Sequence, residues 1–198
     1  MENSAPGKWI VFEGLDGCGK STQARLLAER LGAVLTREPG GTELGSSIRD
    51  MVLHASAPIT VESEALLFAA DRAQHYHEVV APHLARGLHV VSDRSVWSSV
   101  VYQGYGRGLG AKKVTELNDW ALGGRWPDVV VYLRSPDAVR QERMQRELDR
   151  IESGGPAFYQ AVEQGFWELA LQEQWIVIGH GSVGEIAEIV NAAVRARL

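Results

Sequence analysis

Residues 9–22 read WIVFEGLDGCGKST, and this stretch decides the architecture. Trp9-Ile10-Val11-Phe12 is a short continuous apolar run, as expected of a strand buried on both faces. It leads directly into Gly14-Leu15-Asp16-Gly17-Cys18-Gly19-Lys20-Ser21, a full match to G-x-x-x-x-G-K-[ST], followed by Thr22 and a helical pattern over 21–31. The glycines let backbone N–H groups turn toward an anion, and the helix amino end adds its positive dipole. In that arrangement Lys20 reaches the β- and γ-phosphates and the Ser21 hydroxyl suits Mg²⁺. Cys18 reads as a small loop residue rather than a nucleophile.

Working outward, further short apolar runs fall at 33–35, 88–91, 129–133 and 176–178. Between them lie helical patterns at 61–84, 96–103, 111–122, 137–152, 156–173 and 183–197, with Pro82 bending or ending the first. Apolar strands alternating with helices predict an α/β fold, a five-stranded parallel sheet with helices on both faces. No repeat or linker divides residues 1–198, so one domain is expected. The run Leu88-His89-Val90-Val91-Ser92-Asp93 places Asp93 beside the phosphates at the carboxyl edge of the sheet. Asp93 is therefore a Mg²⁺ or water-shell partner, or else a helix N-cap. Neither N-K-x-D nor T-K-x-D occurs, which argues against a regulatory GTPase.

Composition narrows the class. With 198 residues, 45% apolar and 23% charged, the chain is neither disordered nor a disulfide miniprotein. A net charge of -5 argues against nucleic-acid or membrane-surface binding. Its basic residues are uneven, sixteen Arg against four Lys, and Arg suits bidentate recognition of a small anion; a compositional habit of the source genome is the other reading. The single cysteine allows no internal disulfide. The segment MENSAPGKW has no apolar signal core, and a cytoplasmic location is expected. His75 and His77, two apart, point to different faces of a helix and read as surface or core histidines rather than a metal pair.

The sequence resembles the thymidylate kinases over nearly its whole length. The resemblance is carried by FEGLDGCGKSTQ at 12–23, TREPGGTELG at 36–45, ADRAQH at 70–75, SDRSVWSSVVYQG at 92–104 and RELDRIE at 146–152. It implies a P-loop nucleoside-monophosphate-kinase fold, a homodimer, and transfer of a phosphoryl group from ATP to dTMP. It also implies acceptor-phosphate arginines at Arg49 and Arg94, with Arg37 as a further candidate. Phe68 would stack on thymine, Arg72 would bond its O4, and Ser98, Ser99 and Gln103 would line or read its polar edge. Tyr102 would pack against the deoxyribose, and Asp16 and Glu38 would lie near the 3'-hydroxyl and the acceptor phosphate. Phe68 reads equally well as plain core.

Arg140, Arg143, Arg146 and Arg150 are spaced 3, 3 and 4 apart, within roughly 120° of one helix face. With Ser153-Gly154-Gly155-Pro156 as a hinge, residues 137–156 read as a lid closing over the transferring phosphoryl and excluding water. A solvated helix laced by Glu147 is the plainer reading. The family carries a catalytic arginine either in the P-loop or in the lid. Gly17 and Cys18 leave none in the loop, so the resemblance points to Arg150. Three departures stand out: Ser95 where many relatives have Tyr or His, Ala161, Glu163 and Gly165 where further basic residues are usual, and Ile178-Gly179 where Ile-Asp is usual, before the stretch 180–183 expected around an adenine. The expected activity is Mg²⁺- and ATP-dependent dTMP phosphorylation by direct in-line transfer, with Lys20, Asp93, Arg94 and Arg150 as catalytic candidates. The alternatives are a kinase for another pyrimidine monophosphate or a deoxynucleoside, and a P-loop binding protein without catalysis.

Overall fold

The computed structural model describes residues 6–143 and 149–198. Its sheet is built from β1 (Trp9–Glu13), β2 (Val34–Arg37), β3 (Val90–Asp93), β4 (Val129–Leu133) and β5 (Ile176–Ile178). The order is β2-β3-β1-β4-β5, and every neighbouring pair is parallel. β1 is central and buried throughout, which is what its unbroken apolar run requires.

Alternation along β1 divides the core. Ile10 and Phe12 face α1 (Lys20–Leu31) and α9 (Val183–Arg195), packing with Leu27, Val190 and Val194. Trp9 and Val11 face the opposite layer, which includes α5 (Val96–Ser99) and α8 (Gly155–Gln172) through Trp97, Phe158 and Phe166. The result is a doubly wound sheet, as the strand pattern predicts. Trp126 and Trp175 precede β4 and β5, at the amino ends of the strands. Trp97 packs on both, with ring centroids 4.8 and 5.3 Å away.

Four elements depart from the sequence reading. The helical pattern at 61–84 is α3 (Val61–His75), a π-helical turn at Tyr76–Val80 and α4 (Ala81–Ala85). A proline lacks an N–H and its ring crowds the carbonyl four residues back. The wider turn lies directly ahead of Pro82, so the segment continues past it. A second π-helical stretch, Val100–Gly106, extends α5. The helix α2 (Glu43–His54) is not among the expected elements. Its signals were weak but present: Thr42 caps it by accepting from Gly45 N at 2.9 Å, and Gly45, Ile48 and Val52 are buried at helical spacing. α6 (Ala111–Leu122) matches the expected range. α7 (Asp137–Arg143) begins the expected lid, but the helix expected over 137–152 does not reach its end: Arg150 and Ile151 form a turn and Glu152–Gly154 a 3₁₀ turn ahead of α8. Arg146 and Glu147 lie outside the described residues. No described helix is long and apolar enough to cross a membrane.

Candidate active site

The carboxyl ends of β1, β2 and β3 bring Glu13, Arg37 and Asp93 to one edge, with Phe12 and Arg37 both in register with Asp93. The loop leaving β1 turns through residues with positive φ, including Gly14 at 142° and Gly19 at 101°. A Cβ at Gly14 would stand 2.5 Å from the Leu133 carbonyl oxygen, so no larger residue fits there. Leu15 and Cys18 point into the core, one on each side of the sheet. They can serve a phosphate only through their backbone, which places Cys18 as a packing residue.

Lys20 is buried, and its ammonium donates to the Leu15 carbonyl at 2.9 Å and lies 3.8 Å from Asp16. The Ser21 hydroxyl donates to Asp93 Oδ2 at 2.5 Å. Asp93 Oδ1 is buried without a hydrogen-bond partner among the described residues. A hydroxyl beside a carboxylate with an unused oxygen is a donor set of the kind Mg²⁺ takes when phosphates and water complete its shell. The residues present therefore fit that ion.

Arg94 follows β3 with φ 69°, in the left-handed region that few side chains other than glycine occupy. That backbone turn directs its guanidinium back across β1. It donates to Asp16 Oδ1 at 2.7 Å and to Ser98 Oγ at 2.9 Å, and lies 5.2 Å over the Tyr102 ring. Burial pushes the Asp16 carboxyl up, but the charges of Arg94 and then Lys20 more than offset it and hold the group well below the usual range. Beneath this pair, fully buried Glu13 accepts from the backbone N–H groups of Ser95 and Ser98 and from the Ser98 hydroxyl. Burial raises Glu13 to about 7 against the opposing charge of Arg94. Sequence reading missed Glu13; a glutamate closing an otherwise apolar central strand was the signal.

Two adjoining clefts open here. The first is lined by Asp16, Glu38, Arg49, Phe68, Arg72, Arg94, Ser98, Ser99, Tyr102 and Gln103, the whole expected acceptor set. The second is lined by Asp16, Gly17, Gly19, Lys20, Ser21, Thr22, Arg37 and Asp93, with Glu38, Arg49, Arg94 and Arg143. Asp16, Glu38, Arg49 and Arg94 belong to both. Arg49 donates to the Pro39 carbonyl at 3.1 Å, and its pKa is lowered by burial and then by the like charge of Arg37. Such crowding of cations favours an anion between them.

Within the first cleft Phe68 is both a wall and part of the surrounding core. Arg72 is 2% exposed and already heavily bonded. It donates from Nε to Glu38 at 2.8 Å, from Nη1 to Ser99 and Asn118, and from Nη2 to the Ser95 carbonyl at 3.2 Å. A guanidinium has five N–H groups, so one on Nη2 is left for a ligand among these contacts. Glu38 is held in turn by His75 at 2.7 Å and by the Ser95 hydroxyl at 3.1 Å. His75, read as a surface or core histidine, is a fully buried link between Glu38 and Thr36. Asn118 is a further support outside every quoted stretch, and Ser95, noted only as a departure from relatives, is another.

Arg150 departs from its expected place. Its Nε donates to the Val52 carbonyl at 2.8 Å, and its Nη2 lies 2.7 Å from Glu64, while neither cleft includes it among its lining residues. Arg143 stands at the phosphate loop instead, donating to the Gly17 carbonyl at 3.3 Å. Spacing along a helix identifies a common face but not which side chain crosses to the loop. Arg140 pairs with Asp137 on its own helix.

A third cleft, on the far side of the phosphate loop, is lined by Arg134, Ser135, Pro136, Asp137, Glu163, Gly179 and His180. The Ser135 hydroxyl is buried without a partner among the described residues, and Arg134 lies 4.7 Å over Trp167. Of the stretch expected around an adenine, only His180 lines this cleft.

A phosphate-binding loop at the sheet edge, joined through shared arginines to a base-sized cleft, defines the class of P-loop nucleoside-monophosphate kinases. The family model described as Thymidylate kinase matches residues 12–190. The chain is 44% identical to a thymidylate kinase of Synechococcus sp. (strain CC9902), covering 97% of this chain and 99% of that one. It is 43% identical to one of Clavibacter sepedonicus, over 96% and 94%. Among solved structures, a thymidylate kinase from Ehrlichia chaffeensis superposes with a TM-score of 0.81 at 32% identity, over 96% of this chain and 100% of that one. The chain belongs to the thymidylate kinase family.

Proposed function

We propose that this protein phosphorylates dTMP to dTDP with ATP, by direct in-line transfer. The observation that carries the reading is the sharing of Asp16, Glu38, Arg49 and Arg94 between the phosphate-loop cleft and the base-sized cleft. A phosphoryl group crossing from one cleft to the other passes between these side chains. The loop N–H groups and Lys20 hold the donor phosphates, while Arg94 and Arg49 hold the acceptor phosphate by charge-assisted bonds. Phe68 stacks on the base, the remaining Arg72 N–H meets O4, and Gln103 reads the adjacent edge. The adenine occupies the cleft beside Ser135 and His180. Mg²⁺, held by Ser21 and Asp93, would offset charge on the donor phosphates. Residues 137–156 act as the lid, and Arg143 takes the role first expected of Arg150, neutralising charge at the loop while water is excluded.

The working unit is a homodimer. An apolar groove between α3 and α6 is lined by Leu66, Ala70, Ala73, Leu117 and Trp120, with Trp120 82% exposed. An exposed indole of that size beside a groove of small side chains fits a second copy presenting the same face. Soluble nucleotide substrates fit a cytoplasmic protein.

A coupled ADP-release assay across dTMP, dUMP, UMP and CMP tests the assignment. The expected result is turnover of dTMP well above UMP and CMP. Equal rates for all four would point to a general pyrimidine-monophosphate kinase, and ATP binding without dTDP formation would mark a nucleotide-binding protein.

A further inference from the structure

Glu64 lies on α3, 1% exposed, and belongs to none of the recognised motifs. A buried carboxylate is costly unless paired, and this one is paired on both oxygens. Oε1 accepts from Gln103 Nε2 at 2.9 Å and from Arg107 Nε at 3.3 Å. Oε2 faces Arg150 Nη2 at 2.7 Å. It thus stands behind the base cleft, touching a residue of its wall and Arg150 of the lid segment.

The contact with Gln103 has a consequence for specificity. A side-chain amide can present either its NH₂ or its oxygen to a ligand, depending on which way it is turned. A carboxylate flanked by two guanidinium groups offers only acceptors, so the Gln103 NH₂ must face Glu64. The carbonyl oxygen is then what remains for a base in the cleft. An acceptor there matches the N3–H of thymine or uracil and opposes the bare N3 of cytosine.

We propose that Glu64 is a specificity-determining positioning residue, which orients the Gln103 amide so that the cleft selects a pyrimidine carrying N3–H. The proposal rests on the dTMP reading above. A site built to hydrogen-bond a particular group rejects an analogue lacking it far better than an apolar wall does. Here that selectivity depends on a residue that never touches the substrate.

The test is the ratio of kcat/KM for dTMP to that for dCMP in wild type, Glu64→Ala and Glu64→Gln, with Tm measured alongside. Removing the acceptor lets the Gln103 amide turn, so Glu64→Ala is expected to lower the ratio about tenfold or more. It does not abolish preference, because Arg72 still opposes the cytosine amino group. Glu64→Gln retains an oxygen that can accept from Gln103 and is expected to restore much of the ratio. In a Gln103→Ala background, Glu64→Ala should leave the ratio unchanged. A purely structural role predicts lower Tm and equal losses for both nucleotides at constant ratio, which would overturn the proposal. Should Glu64→Ala fail to fold, Glu64→Asp keeps a charge for Arg107 and Arg150 while withdrawing the acceptor by one methylene. An unchanged ratio in Glu64→Asp overturns the proposal equally. A wild-type protein with no preference for dTMP over dCMP would instead remove the dTMP reading itself, and this inference with it.

Discussion

Arg94 holds a left-handed backbone conformation that costs on the order of 1–3 kcal/mol for a side chain of its kind. What fixes it is the pair of carboxylates around the turn: Asp16 takes the guanidinium, and Glu13 takes the N–H groups of Ser95 and Ser98. Glu13 therefore stabilises the turn through hydrogen bonds while its own burial disfavours its charge. Its pKa is raised from 4.5 to about 7. The folded state thus binds this proton more tightly than the unfolded chain does. The associated stability is full below pH 4.5 and is lost as pH rises through about 7, a change of about 3 kcal/mol if Glu13 acts alone. Glu13→Gln keeps an acceptor for the two N–H groups and has no such titration. Thermal melts at pH 5 and pH 8.5, chosen at roughly either side of that window, should show a smaller stability difference in the variant. Equal pH dependence in both proteins would remove Glu13 as the cause.

At the scale of elements, α7 and the segment that follows it divide their arginines between two tasks. Arg143 reaches the phosphate loop, whereas Arg150 is tied to Glu64 and the Val52 carbonyl behind the base cleft. Arg143→Ala is expected to lower kcat by at least about a hundredfold, with the KM for dTMP changed only a few-fold, as befits charge stabilised in the transition state. Arg150→Ala should have the smaller effect on kcat. Steady-state kinetics with saturating ATP decide this, and the reverse order would mean that Arg150 leaves Glu64 during turnover. A basic helix start was legible from spacing, but of the four arginines only Arg140 and Arg143 lie on the described helix, and Arg150 sits in a turn. Which arginine crosses to the loop was not legible, since that depends on where the helix starts and on a competing buried carboxylate 86 positions before Arg150 in the chain. α2 was missed for a related reason: a Thr cap and three buried positions formed the pattern, but Gly45, Ser46 and Ser47 diluted its apolar signal. The strands were easier, because burial on both faces leaves an unbroken apolar run. The acceptor residues came from motif resemblance, and their supports, Asn118, His75 and Glu64, are long-range partners that no local window contains.

For the whole molecule, two surplus features find uses. The excess of Arg over Lys concentrates at the two clefts, where Arg37, Arg49, Arg72, Arg94 and Arg143 gather although the chain carries net charge -5. The exposed apolar groove between α3 and α6 is the proposed dimer face. Trp120→Glu should shift the protein from dimer to monomer in sedimentation velocity, with little loss of single-site ATP binding. A dimer that persists unchanged would place the interface elsewhere. The tryptophans also make the molecule optically selective. None lines the phosphate-loop or base cleft, so intrinsic emission has no direct quenching contact with dTMP. Trp97, Trp126 and Trp175, clustered at the amino ends of the strands, report unfolding, Trp120 would report pairing at the proposed dimer face, and Trp167 stacks on Arg134, which lines the cleft proposed for the adenine. One excitation wavelength can thus follow folding, assembly and nucleotide loading as separable signals once each tryptophan is replaced in turn.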